Sequence, residues 1–131
     1  MPNDFAPLLP AVCDIARQAG AAIMEVYATD FSAERKTDGS PVTEADTAAE
    51  AIILPALGPL TPDIPIVSEE FMAEGTAPDI SGGNFWLVDP LDGTREFMKG
   101  NDEFTVNIGL IIDLQPVFGV LYAPALDTLF F

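Results

Sequence analysis

The sequence predicts an α+β domain, with two helices packed on a mostly antiparallel sheet. Three observations carry this expectation. The first part of the chain spaces its apolar residues helically. The later part gathers them into short runs broken by Gly, Pro and Asp, and those runs read as a meander. At 131 residues the chain is the size of one ordinary domain, and with 49% hydrophobic residues it can bury a real core.

The first helix is expected from about Leu9 or Pro10 to Tyr27, because Val12, Ile15, Ala16, Ala19, Ile23 and Val26 make one apolar stripe. Pro10 suits the first helical turn, where its missing N–H costs nothing. A polar loop, TDFSAERKTDGSP, follows. The second helix is expected to start at Thr43 and to turn Ala45, Ala48, Ala49, Ile52 and Ile53 inward, with Pro55 kinking or ending it. LGPLTPD then reads as a loop, Pro65 to Ser68 as a short strand, and Glu69 to Asn84 as an acidic loop containing glycines. Phe85 to Val88 reads as a buried strand and DPLDGT as a turn. Glu103 to Ile112 is apolar enough to be a central strand. After the turn DLQ, Pro116 to Tyr122 reads as a further long strand, and ALDTLFF begins a last one. A chain that stops on Phe130 and Phe131 reads as the amino-terminal piece of something longer.

Composition narrows the chemistry. The chain carries 21 acidic residues against 5 basic ones, no histidine, and a net charge of −16. That balance opposes a nucleic-acid polymer or an anionic membrane as partner, since both need basic patches. Histidine catalysis is excluded, and one Cys rules out both a Cys-cluster zinc site and a disulfide framework. Any metal must take oxygen ligands, which suits Mg²⁺, Mn²⁺ or Ca²⁺. Cys13 falls on a helix face and reads as a core residue. The start, MPNDFAPLLP, has neither the basic region nor the apolar run of a signal peptide. No segment approaches the roughly 18 uninterrupted apolar residues of a transmembrane segment. Cytoplasmic location is the default expectation.

The stretch WLVDPLDGTREF, residues 86–97, admits two readings. Asp-Gly between apolar runs is a strong hairpin signal, and proline is common in turns. Alternatively, Asp89, Asp92 and the Leu91 carbonyl face one point. Two carboxylates about 4 Å apart repel by roughly 4 kcal/mol at an effective dielectric near 20, and a divalent cation reverses the sign. Gly93 then lets the backbone approach a ligand, and Thr94 offers a hydroxyl and an N–H to a phosphate. Glu69 and Glu70 in VSEEF add charge at a strand end, or sit in a helical turn capped by Ser68. Asp46 in SPVTEAD either completes a capping box with Thr43 or accepts a hydrogen bond from the Thr94 hydroxyl.

Taken together, SPVTEAD at 40–46, VSEE at 67–70, WLVDPLDGTREF at 86–97 and EFTVNIGLI at 103–111 resemble the metal-dependent, lithium-sensitive phosphatase superfamily that includes inositol monophosphatase. Arg95-Glu96-Phe97 after DGT, and VLYAP at 120–124, are most similar to the 3'(2'),5'-bisphosphate nucleotidases within it. The resemblance implies the amino-terminal half of a layered αβαβα sugar-phosphatase fold, residues 1–131 forming its metal-binding domain. It implies Mg²⁺ as cofactor, two or three ions, with Li⁺ inhibiting. Glu69, Asp89, the Leu91 carbonyl and Asp92 would be the ligands, Asp89 bridging two ions about 3.5–4 Å apart. Gly93 and Thr94, with Glu69, Leu91 and Asp92, would form the substrate-binding set. Thr94 and Asp46 would be catalytic and activate the attacking water.

The implied substrate is a small phosphorylated nucleotide, adenosine 3',5'-bisphosphate, cleaved to AMP and phosphate. An inositol or other sugar phosphate is the alternative, and a truncated, inactive interaction module is the alternative of another class. Lys36 reads either as a solvated loop lysine or as a contact for a third ion or the phosphate, and Arg95 faces either substrate or solvent. Relatives are longer, and their second half supplies another metal-binding aspartate. On its own this chain would expose an apolar face, making a homodimer a candidate assembly.

Overall fold

The structure, a computed structural model, describes residues 5–28, 41–68 and 82–131. A 3₁₀ turn, Ala6–Leu8, leads into helix α1, Leu9–Tyr27, with Pro10 in its first turn. The whole expected stripe is buried, and Cys13 lies in the core beside it. Helix α2 runs Pro41–Leu57. It opens two residues earlier than Thr43, with proline at the first helical position, where a fixed φ is an advantage. Ala45, Ala49, Ile53 and Leu57 are fully buried, while Ala48 and Ile52 are only half-buried.

Pro55 does not end α2; the helix runs on to Leu57 and a 3₁₀ turn, Gly58–Leu60, follows. The reason is position. In the last turn proline forfeits only its own bond to the carbonyl four residues back, that of Ala51, and Ala51 is exposed and open to water.

Among the described residues five strands form one sheet in sequential order: β1 Ile66–Ser68, β2 Phe85–Asp92, β3 Thr105–Ile112, β4 Gln115–Ala123 and β5 Thr128–Phe130. β1 runs parallel to β2, and the other neighbours are antiparallel. The β3–β4 turn places Asp113 and Leu114 at φ 53° and 62°, the double positive φ of a type I′ hairpin. β3 is the middle strand, as its apolar run predicts.

Both helices cover one face of the sheet, α2 over β2 and α1 over β3 and β4. Into that layer point Trp86, Val88, Val106, Ile108, Leu110 and Val120, all buried. A side chain on the opposite face lies across from one on the neighbouring strand, so Asp89, Asn107, Leu121 and Phe130 form a row. Beside this row Gly109 and Gly119 face each other and floor an apolar groove of about 610 Å³. A short helix α3, Thr94–Met98, links β2 to β3.

Candidate active site

The segment DPLDGT is not a hairpin turn. β2 continues through Asp89 and Pro90 to Asp92, and the chain leaves the sheet only at Gly93. The phase of the strand is what matters. Asp89 lies opposite Asn107 and Asp92 opposite Thr105, so three steps along β2 match two steps along β3. β2 therefore holds one extra residue, a β-bulge at Pro90–Leu91, and successive residues Pro90 and Leu91 are both buried where alternation would expose one.

In a regular strand, residues three apart point to opposite faces. The bulge restores Asp92 to the face of Asp89, the face that Thr105 and Asn107 share across the ladder. Proline suits such a place because the bulge interrupts the ladder that would need its N–H. Leu91 is 2% exposed; its side chain is spent on the core, so only its backbone can act as a donor.

Two hydrogen bonds tie this end of the sheet together. Asn107 Nδ2 donates to Asp92 Oδ2 at 3.1 Å, and Thr105 Oγ1 donates to Asn107 Oδ1 at 3.0 Å. On the helix side, Ser68 Oγ donates to a Glu50 carboxylate oxygen, which pins the end of β1 to α2. Ser68 is fully buried and level with Val88, the residue before Asp89. Glu50 stands four residues after Asp46, on the same side of α2. Asp46 itself is in the second turn of a helix that opens at Pro41, so it does not close a capping box from Thr43.

Gly93 takes φ 91°, ψ 45°, and directs the chain into α3, whose first bond is Phe97 N–H to the Gly93 carbonyl at 3.0 Å. Thr94 begins α3, and α3 touches α2, which carries Asp46. Arg95 is exposed. Phe97 anchors the short helix in an aromatic cluster with Tyr27 and Phe104, ring centroids 4.7–5.3 Å apart. Tyr27 also donates its hydroxyl to Asp102 Oδ1 at 2.8 Å, joining the end of α1 to the loop behind α3. Lys36, Glu69 and Glu70 lie outside the described residues.

Burial, then the bond to Asp102 and its charge, push the Tyr27 hydroxyl from 10.0 up to about 12. A raised pKa means the folded state favours the protonated phenol. Its contribution to stability is complete below pH 10 and is lost as pH rises from 10 towards 12. Tyr122 is raised as well, first by burial and then by its bond to Asp127. Urea unfolding at pH 9 and pH 11 should show stability falling over that interval, and Tyr27→Phe should make the fall shallower without removing it. An unchanged slope in the variant would show that Tyr27 does not titrate as described.

The donor chemistry suits a hard divalent cation: two carboxylates and a backbone carbonyl, all oxygen, gathered at one strand end. Among the described residues no three acidic side chains lie close enough to hold an ion by themselves. Asp89 and Asp92 supply two of the set, and Glu69 directly follows Ser68 in sequence. Asn107 and Thr105, bonded to Asp92 and to each other, are neighbours of this strand end that the sequence reading does not single out. One signal existed: a lone Asn inside the apolar run TVNIGLII is disfavoured in a strand unless it has a task.

The fold and this strand end define an α+β chain with two carboxylates on one face of its sheet. Residues 4–131 match the Inositol monophosphatase family, and the chain belongs to that family. It is 52% identical over 128 residues to the 3'(2'),5'-bisphosphate nucleotidase CysQ of Salmonella typhimurium, covering 95% of this chain and 51% of that protein. Against the same nucleotidase of Escherichia coli K12 it is 48% identical over 125 residues, covering 94% and 50%. The crystal structure of CysQ from Bacteroides thetaiotaomicron superposes with a TM-score of 0.75 at 36% identity, covering 96% of this chain and 46% of that one. Inositol monophosphatase II from Staphylococcus aureus gives 0.77 at 28%, covering 96% and 44%. The chain spans about half the length of the curated relatives it matches.

Proposed function

We propose that these residues form the metal- and phosphate-binding half of a Mg²⁺-dependent phosphomonoesterase that removes the 3'-phosphate of adenosine 3',5'-bisphosphate, giving AMP and phosphate. The observation that supports it most directly is the bulge at Pro90–Leu91, which turns Asp92 to the face of Asp89. The nucleotide reading is supported by similarity: the CysQ nucleotidases share about half their aligned residues with this chain. The near-equal TM-scores show a shared fold and do not separate nucleotide from inositol phosphate.

Glu69, Asp89, the Leu91 carbonyl and Asp92 would hold Mg²⁺, which when bound supplies positive charge to the phosphoryl oxygens. Gly93 and Thr94 would seat the phosphate against backbone. Asp46 would accept a hydrogen bond from the Thr94 hydroxyl, and the Thr94 oxygen would in turn accept one from the attacking water. Among these 131 residues, which include no histidine, a carboxylate such as Asp46 is the group suited to take the water's proton. The P–O3' bond breaks as the new P–O bond forms, and the ribose oxygen leaves with a proton.

The test is phosphate release with Mg²⁺, measured on the protein as its gene encodes it. Adenosine 3',5'-bisphosphate should exceed inositol 1-phosphate in kcat/KM by at least about 100-fold, the scale of losing several charged or hydrogen-bonded contacts. Equal rates, or a preference for the inositol ester, would replace the nucleotide reading with the sugar-phosphate one. No release from either would favour an inert interaction module.

A further inference from the structure

We infer that Asn107 is a positioning residue for the candidate metal site, orienting the Asp92 carboxylate without neutralising it. The inference rests on the site reading above and concerns a residue that reading does not use. Asn107 is placed to register both carboxylates: its backbone lies directly opposite Asp89, while its side chain donates to Asp92 Oδ2 at 3.1 Å. Asp92 is exposed at the end of β2, and among the described residues Asn107 supplies the hydrogen bond that holds its side chain. One fixed oxygen leaves the other to face a cation and lowers the entropy lost on binding.

The amide has two flips, and its surroundings select one. With Oδ1 toward Thr105, the hydroxyl donates to it at 3.0 Å and Nδ2 meets the carboxylate. In the other flip Oδ1 would stand against Asp92 Oδ2, two acceptors in contact. The acceptor-only Asp92 carboxylate therefore selects the flip, and the Thr105 hydroxyl, able to donate or accept, then holds the amide from the other side. An Arg or Lys at this position would hold Asp92 more tightly, but its charge would compete with the metal. A neutral donor avoids that competition.

The experiment titrates the protein as its gene encodes it with Mn²⁺ alone, reading free ion by electron paramagnetic resonance well below the melting temperature, with circular dichroism as the check on folding. Asn107→Ala should weaken Mn²⁺ binding about 10-fold, the lower end for loss of an outer partner because the bond is exposed. Thr105→Val, nearly isosteric, should weaken it by roughly 3-fold, because the amide then loses one of its two orienting contacts. Since Thr105 acts through Asn107, the double variant should bind no more weakly than Asn107→Ala alone. Folded single variants with the affinity of the unaltered chain, or additive losses in the double variant, would overturn the assignment of Asn107 alone. Failure of the unaltered protein, as its gene encodes it, to bind Mn²⁺ at millimolar concentration would overturn the site reading together with this inference.

Discussion

Replacing Asp92 with asparagine should weaken Mg²⁺ binding by at least about 100-fold, the upper end of what loss of a supporting partner costs, since here a ligand itself loses its charge. The fold should survive. Asp92 is exposed at the strand end, and its one described hydrogen bond, received from Asn107, can be received equally by an amide oxygen. Surface substitutions of this kind usually change stability by less than about 0.5 kcal/mol. Calorimetric titration with Mg²⁺ gives the first quantity and urea unfolding the second. Unchanged Mg²⁺ affinity in a folded variant would place the metal elsewhere.

Gly93→Ala has the largest expected effect on stability. At φ 91° a side chain is strained wherever it points, by about 1–2 kcal/mol. Here it also has nowhere to go. An added Cβ would lie 3.2 Å from Phe104 Cα, 3.3 Å from the Glu103 carbonyl oxygen and 3.3 Å from Glu96 Oε1. Two of these three atoms are backbone and cannot swing aside, so overpacking adds about 1–3 kcal/mol more. The sum is about 2–5 kcal/mol. Gly100→Ala is the internal control: φ is 72°, but nothing lies within 4 Å, so only the conformational part should appear. The two urea midpoints, compared at constant slope, separate strain from crowding. Equal losses at both positions would show that Phe104 and Glu103 move away from the new methyl.

Gly93 sits at the joint between the strand that carries Asp89 and Asp92 and the helix that starts at Thr94. A variant that folds but shifts this joint should lose phosphate contacts before it loses the carboxylate pair. Phe97, Tyr27 and Phe104 hold the far side of α3, so a displacement is confined to its first turn.

The elements were largely legible. The stripe of α1 is buried as the spacing requires, and β3 is central as its unbroken apolar run requires. The second helix was placed with small shifts at its ends. Pro41 was read as loop and lies inside it, and Pro55, read as kinking or ending it, falls two residues before its last residue, Leu57. DPLDGT misled more seriously. Its proline and Asp-Gly carry strong turn statistics, yet the segment stays paired to β3 through Asp92. Local propensity cannot see that Thr105, on a partner strand further along the chain, continues to pair with Asp92.

By itself, the sequence determined the α+β class, the helix stripe, the oxygen-only chemistry and the resemblance that led to the family. These depend on composition, periodicity and short motifs, all of which are local. Only the tertiary structure decided that Asp89 and Asp92 share a face, since their spacing alone would set them on opposite sides. The register between β2 and β3 makes that decision, through one extra residue. It brings Asn107 and Thr105 to the same place, although no stretch of sequence links them to DPLDGT. Strand register is set by cross-strand pairing and burial over many residues, so it is written in no single motif.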